Sequence, residues 1–222
     1  MKKKGKVFSF KFLMYDIIKL TGAIGLLLYR PKHLYLDKNQ KKIKGGAIIS
    51  SNHVSLSDPI SIMMGIWYRR LYMVAMDELV TNKLRKLVFI KWFLCIPISR
   101  TNFSMSSFKK IVDVLNDKRA VVIFPEGHVN VDEKGIQAFK SGMIMMALKS
   151  GTPIVPVYLK RRKNFFSRVV IAVGTPIKIS DYAVNGVVNL QGIERANKDI
   201  QNQEKELEKL CYEKEKNKHG QK

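Results

Sequence analysis

From residue 45 onward, short apolar runs alternate with longer amphipathic stretches. The runs at 47–50, 71–75, 94–99, 120–124 and 153–159 are bounded by polar or turn-forming residues, which predicts strands. Between them, 59–67, 78–89, 104–115 and 138–149 read as helices. In 104–115, Phe108, Ile111, Val112 and Leu115 recur at helical spacing and mark one apolar face. Two further strands are expected at 169–173 and 177–179. Buried apolar strands alternating with helices predict an α/β fold, a mixed, largely parallel sheet flanked by helices. The last stretch is charged, and Ile193, Ala196, Ile200, Leu207 and Leu210 predict one helical stripe with a frayed tail beyond Cys211. Three regions follow: a basic segment over 1–44, the α/β domain over 45–192, and a charged C-terminal helix and tail over 193–222.

The first segment has its own pattern. Residues 7–29 are strongly apolar and long enough to span a bilayer as a helix, but Lys11, Asp16 and Lys19 interrupt them. A clean transmembrane helix is therefore not expected, and no small-residue cleavage site marks a signal peptide. Twelve lysines and arginines against two acids over 1–44 predict an amphipathic segment on an anionic membrane surface. The alternative is a helix packed on the core.

Composition narrows the partners. The chain has 222 residues, 46% of them hydrophobic, with a mean hydropathy of −0.10. It can bury a full core, and is neither disordered nor polytopic. Its net charge of +22 seeks a polyanion, whether lipid, nucleic acid or an acidic protein. The two cysteines, Cys95 and Cys211, form no disulfide framework, and no metal-ligand spacing occurs. No metal and no bound cofactor are expected.

Candidate chemistry gathers after the predicted strands, where open α/β sheets place their sites. The first is Ser50-Ser51-Asn52-His53-Val54-Ser55-Leu56-Ser57-Asp58-Pro59. On a continuous helix His53 and Asp58 would point about 140° apart. Asp58-Pro59 instead suits a helix start, with Asp58 as its cap and Asn52 and His53 in the turn before it. A bend there lets the carboxylate reach the imidazole and orient it as a base. Arg100, after the third strand, suits a phosphate. Glu126 and Gly127 sit in a tight turn after the fourth. Lys140 opens the next helix, and the 154–157 strand, with Pro156, suits an acyl chain.

These blocks, in this order, resemble the glycerolipid acyltransferase family, and within it the lysophosphatidate acyltransferases. The blocks are Asn52-His53-(four residues)-Asp58, the run ending at Arg100, Phe124-Pro125-Glu126-Gly127, and Ile154-Val155-Pro156-Val157. The resemblance covers roughly 45–175. It implies that His53, oriented by Asp58, deprotonates the sn-2 hydroxyl of a 1-acyl-glycerol-3-phosphate, which attacks an acyl thioester directly. It further implies that Asn52, Arg100, Glu126, Gly127 and Lys140 bind substrate and that Pro156 lies in the acyl-chain region. The co-substrate would be an acyl carrier protein or coenzyme A thioester. The setting would be the cytoplasmic face of the cell membrane, with the protein peripheral or monotopic and no nucleic acid involved.

Two departures stand out. His128-Val129 follows the third block where the family has Thr-Arg, and Leu94 replaces a glycine at the start of the second. The first raises the alternative of another lysolipid or aminolipid acceptor. A non-catalytic basic protein that binds membrane or nucleic acid would also explain the charge, but not the placement of His53, Asp58, Arg100 and Glu126.

Overall fold

The computed structural model describes residues 12–17, 19–20, 31–39, 41–80, 82–99, 104–126, 138–161, 167–184 and 186–219. Arg100, Gly127, His128 and the side chain of Lys140 lie outside these residues.

Seven strands form one sheet: β1 (Lys32–Tyr35), β2 (Ala47–Ser51), β3 (Leu71–Met76), β4 (Cys95–Ile98), β5 (Ala120–Ile123), β6 (Ile154–Lys160) and β7 (Val170–Val173). Their order is β1-β7-β6-β2-β5-β3-β4. Pairing is parallel throughout except between β6 and β7. The mixed, largely parallel sheet expected from the alternation is therefore present. β2 lies inside it, and all five of its residues are buried. That explains why its sequence is a continuous apolar run rather than an alternating one.

The helices are α1 (Asp58–Gly65), α2 (Lys83–Lys86), α3 (Met105–Asn116), α4 (Ala138–Ser150) and α5 (Leu190–His219). The crossovers β2→β3 and β3→β4 step the same way across the sheet, so right-handed connections put α1 and α2 on one flank. The return β4→β5 puts α3 on the other flank, where α3 meets α4 and α4 meets α5. In α3, Ser104 caps the helix by accepting from Ser107 N at 3.1 Å, and Ile111, Val112 and Leu115 are buried. Close approach sets α1 against the edge of the sheet. A Cβ on Gly65 would stand 1.9 Å from Ile171 Cδ1, and the Gly65 carbonyl accepts from His33 Nε2 at 2.7 Å.

Several boundaries differ from the sequence expectation. The stretch expected as a helix over 78–89 is a 3₁₀ turn (Asp77–Val80), the short α2, and π turns over Leu87–Trp92. The strand expected at 177–179 reduces to one bridge, Ile154 to Ile177, followed by a 3₁₀ turn at Ile179–Tyr182. The tail expected to fray stays helical to His219. In α5, Ala196, Ile200, Leu207 and Cys211 are buried. Between them Gln203 and Glu204 reach polar groups: Thr175 N donates to Gln203 Oε1 at 3.0 Å, and Ser50 Oγ donates to Glu204 Oε1 at 3.3 Å.

The boundary expected at residue 45 does not divide the core. β1 is an edge strand of the sheet, and residues 12–17 and 19–20 are helical, with Phe12 and Tyr15 in the core. Phe12 and Tyr15, three apart, face inward and are buried. Leu71 N donates to Tyr15 Oη at 3.0 Å, Arg70 Nε donates to Asp16 Oδ1 at 3.0 Å, and the guanidiniums of Arg70 and Arg119 lie 4.9 and 4.6 Å from the centre of the Phe12 ring. Leu13, Ile17 and Leu20 are exposed. Asp16 and Lys19, two of the charges that break the apolar run, thus serve to dock it: Lys19 Nζ donates to the Trp67 carbonyl at 2.7 Å, and burial lowers its pKa to about 8. Among the described residues no helix is long and apolar enough to cross a membrane.

Candidate active site

The register of the central strands brings the chemistry together. Ser50 on β2 pairs with Ile123 on β5 and with Pro156 on β6. Asn52-His53 and Phe124-Pro125-Glu126 therefore leave neighbouring parallel strands at one level of the sheet. β3 pairs with β5 from Leu71 and Ala120 onward, so Asp77 leaves at that same level. This is the carboxyl end of the parallel strands, where their connections open a crevice.

After Ser51 the chain turns, and α1 begins at Asp58. Ser57 occupies the N-cap position but its hydroxyl pairs with Ser55 Oγ at 3.1 Å rather than capping the helix, and Asp58 is the first helical residue. The cap expected of Asp58 is therefore not what its carboxylate does. It turns back over the preceding turn, and one oxygen, Oδ2, accepts three hydrogen bonds. Val54 N and Ser55 N each donate at 2.7 Å, and His53 Nδ1 lies at 3.0 Å. Pro59 in the first turn leaves this arrangement undisturbed, since an N–H there has no helical partner. Asp58 is buried, and the His53 side chain is 15% exposed.

Orientation at Nδ1 leaves Nε2 as the ring atom available to a substrate. The ring is also held on one face by Phe124, with centroids 4.3 Å apart and planes at 27°. In the sequence Phe124 ends an apolar strand and opens the third block, and neither reading gives it a role beside His53. Its contact with His53 follows from β2 and β5 being neighbours.

Asn52 has a task the sequence did not suggest. Its Nδ2 donates to the Leu159 carbonyl at 3.0 Å, and Leu159 N donates to its Oδ1 at 2.7 Å. The carboxamide imitates a peptide group and continues the β2–β6 ladder past the point where β2 leaves the sheet. The structure gives Asn52 this clamp on the turn that carries His53.

The remaining predicted residues divide. Glu126 is half-buried in the turn after β5, level with His53. Lys140 lies in the first turn of α4. Arg100 follows Ser99 at the end of β4 and, with Gly127, falls outside the described residues. Pro156 is buried inside the sheet, between β2 and β7, and accepts at its carbonyl from Gly174 N at 2.8 Å. It shares a sheet face with Tyr158, whose hydroxyl donates to Glu208 of α5 at 2.9 Å, so it lies under α5. Cys95 is buried, and burial raises its thiol to about 12, which leaves it no nucleophilic role. A partly exposed imidazole oriented at Nδ1 by a buried carboxylate, at the mouth of an α/β sheet, can remove a proton from a hydroxyl.

The chain is similar to known proteins. The family model named Acyltransferase matches residues 11–160, from the N-terminal helix to the end of β6. The chain belongs to the Acyltransferase family. Within that family, a 1-acyl-sn-glycerol-3-phosphate acyltransferase of Borreliella burgdorferi is 28% identical over 187 residues, covering 83% of this chain and 74% of its own. The enzyme of that same name from Bacillus subtilis is 26% identical over 172 residues, covering 75% and 80%. The crystal structure of the 1-acyl-sn-glycerophosphate (LPA) acyltransferase PlsC from Thermotoga maritima superposes with a TM-score of 0.58 at 17% identity, covering 89% of this chain and 81% of that one. That likeness shows the acyltransferase fold. The match from residue 11 also agrees with the packing of Phe12 and Tyr15 into the core.

Proposed function

We propose that this acyltransferase moves a fatty acyl group from an acyl thioester to the sn-2 hydroxyl of 1-acyl-glycerol-3-phosphate, making phosphatidic acid for phospholipid synthesis. The observation that carries this reading is the His53–Asp58 pair in its turn, in a chain whose relatives bear that substrate in their names. His53 Nε2 takes the hydroxyl proton as the oxygen attacks the thioester carbonyl. The tetrahedral intermediate collapses, the C–S bond breaks, and the proton passes from His53 to the departing thiolate. The products are the diacylated phosphate and a free thiol. Asp58 stabilises the imidazolium formed on the way.

Arg100 and Lys140 would supply cations for the acceptor phosphate, and Glu126 and Gly127 would shape the glycerol site. The donor would be an acyl carrier protein or coenzyme A thioester, and the setting the cytoplasmic face of the membrane. The exposed Leu13, Ile17 and Leu20 on the N-terminal helix support contact with lipid. His128-Val129 favours a second reading, in which another lysolipid is acylated by the same pair. The test is transfer of a labelled acyl group from either thioester to a panel of lysolipids by the purified protein and by His53→Ala. Loss of transfer in the variant, with lysophosphatidic acid the preferred acceptor, is expected. Equal activity in the two proteins would overturn the mechanism, and indifference to the acceptor phosphate would overturn the substrate.

A further inference from the structure

Large apolar side chains stand in solvent at the catalytic end of the α1 flank. Leu56, inside the turn between His53 and Asp58, is 84% exposed, and Ile60 in the first turn of α1 is exposed as well. On the same flank, the connection that leaves β3 at the level of Glu126 carries α2. There Leu84 is 69% exposed and Leu87 is exposed beside it. All residues from 82 to 87 are exposed. Leu84 and Leu87 are three apart, so they share a side of the helical turns. Lys83, Arg85 and Lys86 interleave with them, and residues 82–87 contain no acid.

An exposed leucine pair ringed by cations is stable in water only at a cost. Apolar side chains inserted at lipid level, with cations at headgroup level, satisfy both parts at once. An acidic protein surface would match the cations but would leave the leucines to find apolar partners of their own. The N-terminal helix docks elsewhere, near the start of β3 through Tyr15 and Leu71.

We infer that Leu84 and Leu87, with Lys83, Arg85 and Lys86, form a second lipid contact beside Leu56 and Ile60, which seats the catalytic turn on an anionic bilayer. The inference rests on the proposed membrane-lipid acceptor. Seated in this way, the base meets a hydroxyl at the headgroup level without the acyl chain of the acceptor leaving the lipid.

The test uses the full chain with two sets of substitutions, Leu84→Asp with Leu87→Asp, and Lys83→Glu with Arg85→Glu and Lys86→Glu. Lysophosphatidic acid is presented in two forms: long-chain in phosphatidylglycerol–phosphatidylcholine vesicles, and short-chain dissolved in water. The leucine variant should lose about tenfold or more of its activity on the vesicle form and keep its activity on the dissolved form. The charge variant should lose activity on vesicles rich in phosphatidylglycerol and little on pure phosphatidylcholine. Equal losses on both forms, or no loss on vesicles, would overturn the inference. So would a loss confined to the carrier-protein thioester and absent with the coenzyme A thioester, which would make this surface a carrier dock. If the wild-type chain acylates no lysophosphatidic acid, the proposed acceptor fails. Co-sedimentation with phosphatidylglycerol vesicles then decides the contact separately: weaker binding by the leucine variant supports it, and unchanged binding overturns it.

Discussion

Asp58→Asn separates what the carboxylate holds from what its charge does. Asp58 Oδ2 receives Val54 N and Ser55 N at 2.7 Å each and His53 Nδ1 at 3.0 Å. An asparagine in the same rotamer offers its carbonyl oxygen to the same three donors, so the turn keeps its shape. What it lacks is the negative charge facing an imidazole that becomes cationic during proton transfer. Two unit charges about 4 Å apart attract by roughly 4 kcal/mol at an effective dielectric near 20. Asp58 is buried, so solvent screens little of this, and the carboxamide dipole returns part of it. A net loss of about 3 kcal/mol in the transition state lowers the rate by about two orders of magnitude. Folding should suffer less. Exchanging charge-assisted for neutral hydrogen bonds costs about 1 kcal/mol apiece at most, a few degrees in Tm for each kcal/mol in a chain of this size. Thiol release from the acyl thioester in the presence of lysophosphatidic acid measures the first quantity, and thermal unfolding the second. Asp58→Ala is the control, because it leaves two main-chain N–H groups without their acceptor and should cost more stability. If Asp58→Asn stays within about threefold of the wild-type rate while folded, the orienting role is wrong. If both variants lose activity only in step with Tm, Asp58 merely builds the turn.

Other outcomes follow from the same geometry. Asn52→Ala removes both partners of the Leu159 main chain, so it should cost about 2–4 kcal/mol of stability and reduce kcat; calorimetry and initial rates check it, and an unchanged Tm would refute the clamp. Because burial raises the Cys95 thiol from an ordinary 9.0 to about 12, its alkylation at pH 8 should be about a thousandfold slower than in urea, as mass spectrometry would read. The folded state holds that proton longer, so its contribution is complete below about pH 9 and falls as pH rises toward 12. Gly46→Ala would bring a Cβ to 2.6 Å from the Leu115 carbonyl and 2.7 Å from Thr152 Cγ2 just before β2. Chemical denaturation should show a loss of about 1–3 kcal/mol.

The sequence by itself determined the local pieces. Apolar runs marked the inner strands of the sheet, because a strand covered on both faces has no polar position to spare. The pattern Asn52-His53-(four residues)-Asp58-Pro59 marked a bend at a strand end, because proline opens a helix and a short carboxylate can turn back on the residues before it. Where the local rule was incomplete it failed in a readable way. Asp58 looked like a cap and instead binds upstream N–H groups through the same oxygen that meets His53. Lys11, Asp16 and Lys19 looked like interruptions of a membrane segment, whereas Asp16 and Lys19 tie a helix to the core through Arg70 and the Trp67 carbonyl.

Only the tertiary structure decided what lies beside what. Asn52 and Leu159 are 107 positions apart, and His53 and Phe124 are brought into contact by neighbouring strands. Neither pairing is written in periodicity, because hydrophobic pattern reports which face of an element is buried and not which element buries it. Strand order supplied that. Placing β2 between β5 and β6 set His53 against an aromatic on one side and clamped its turn to a backbone on the other.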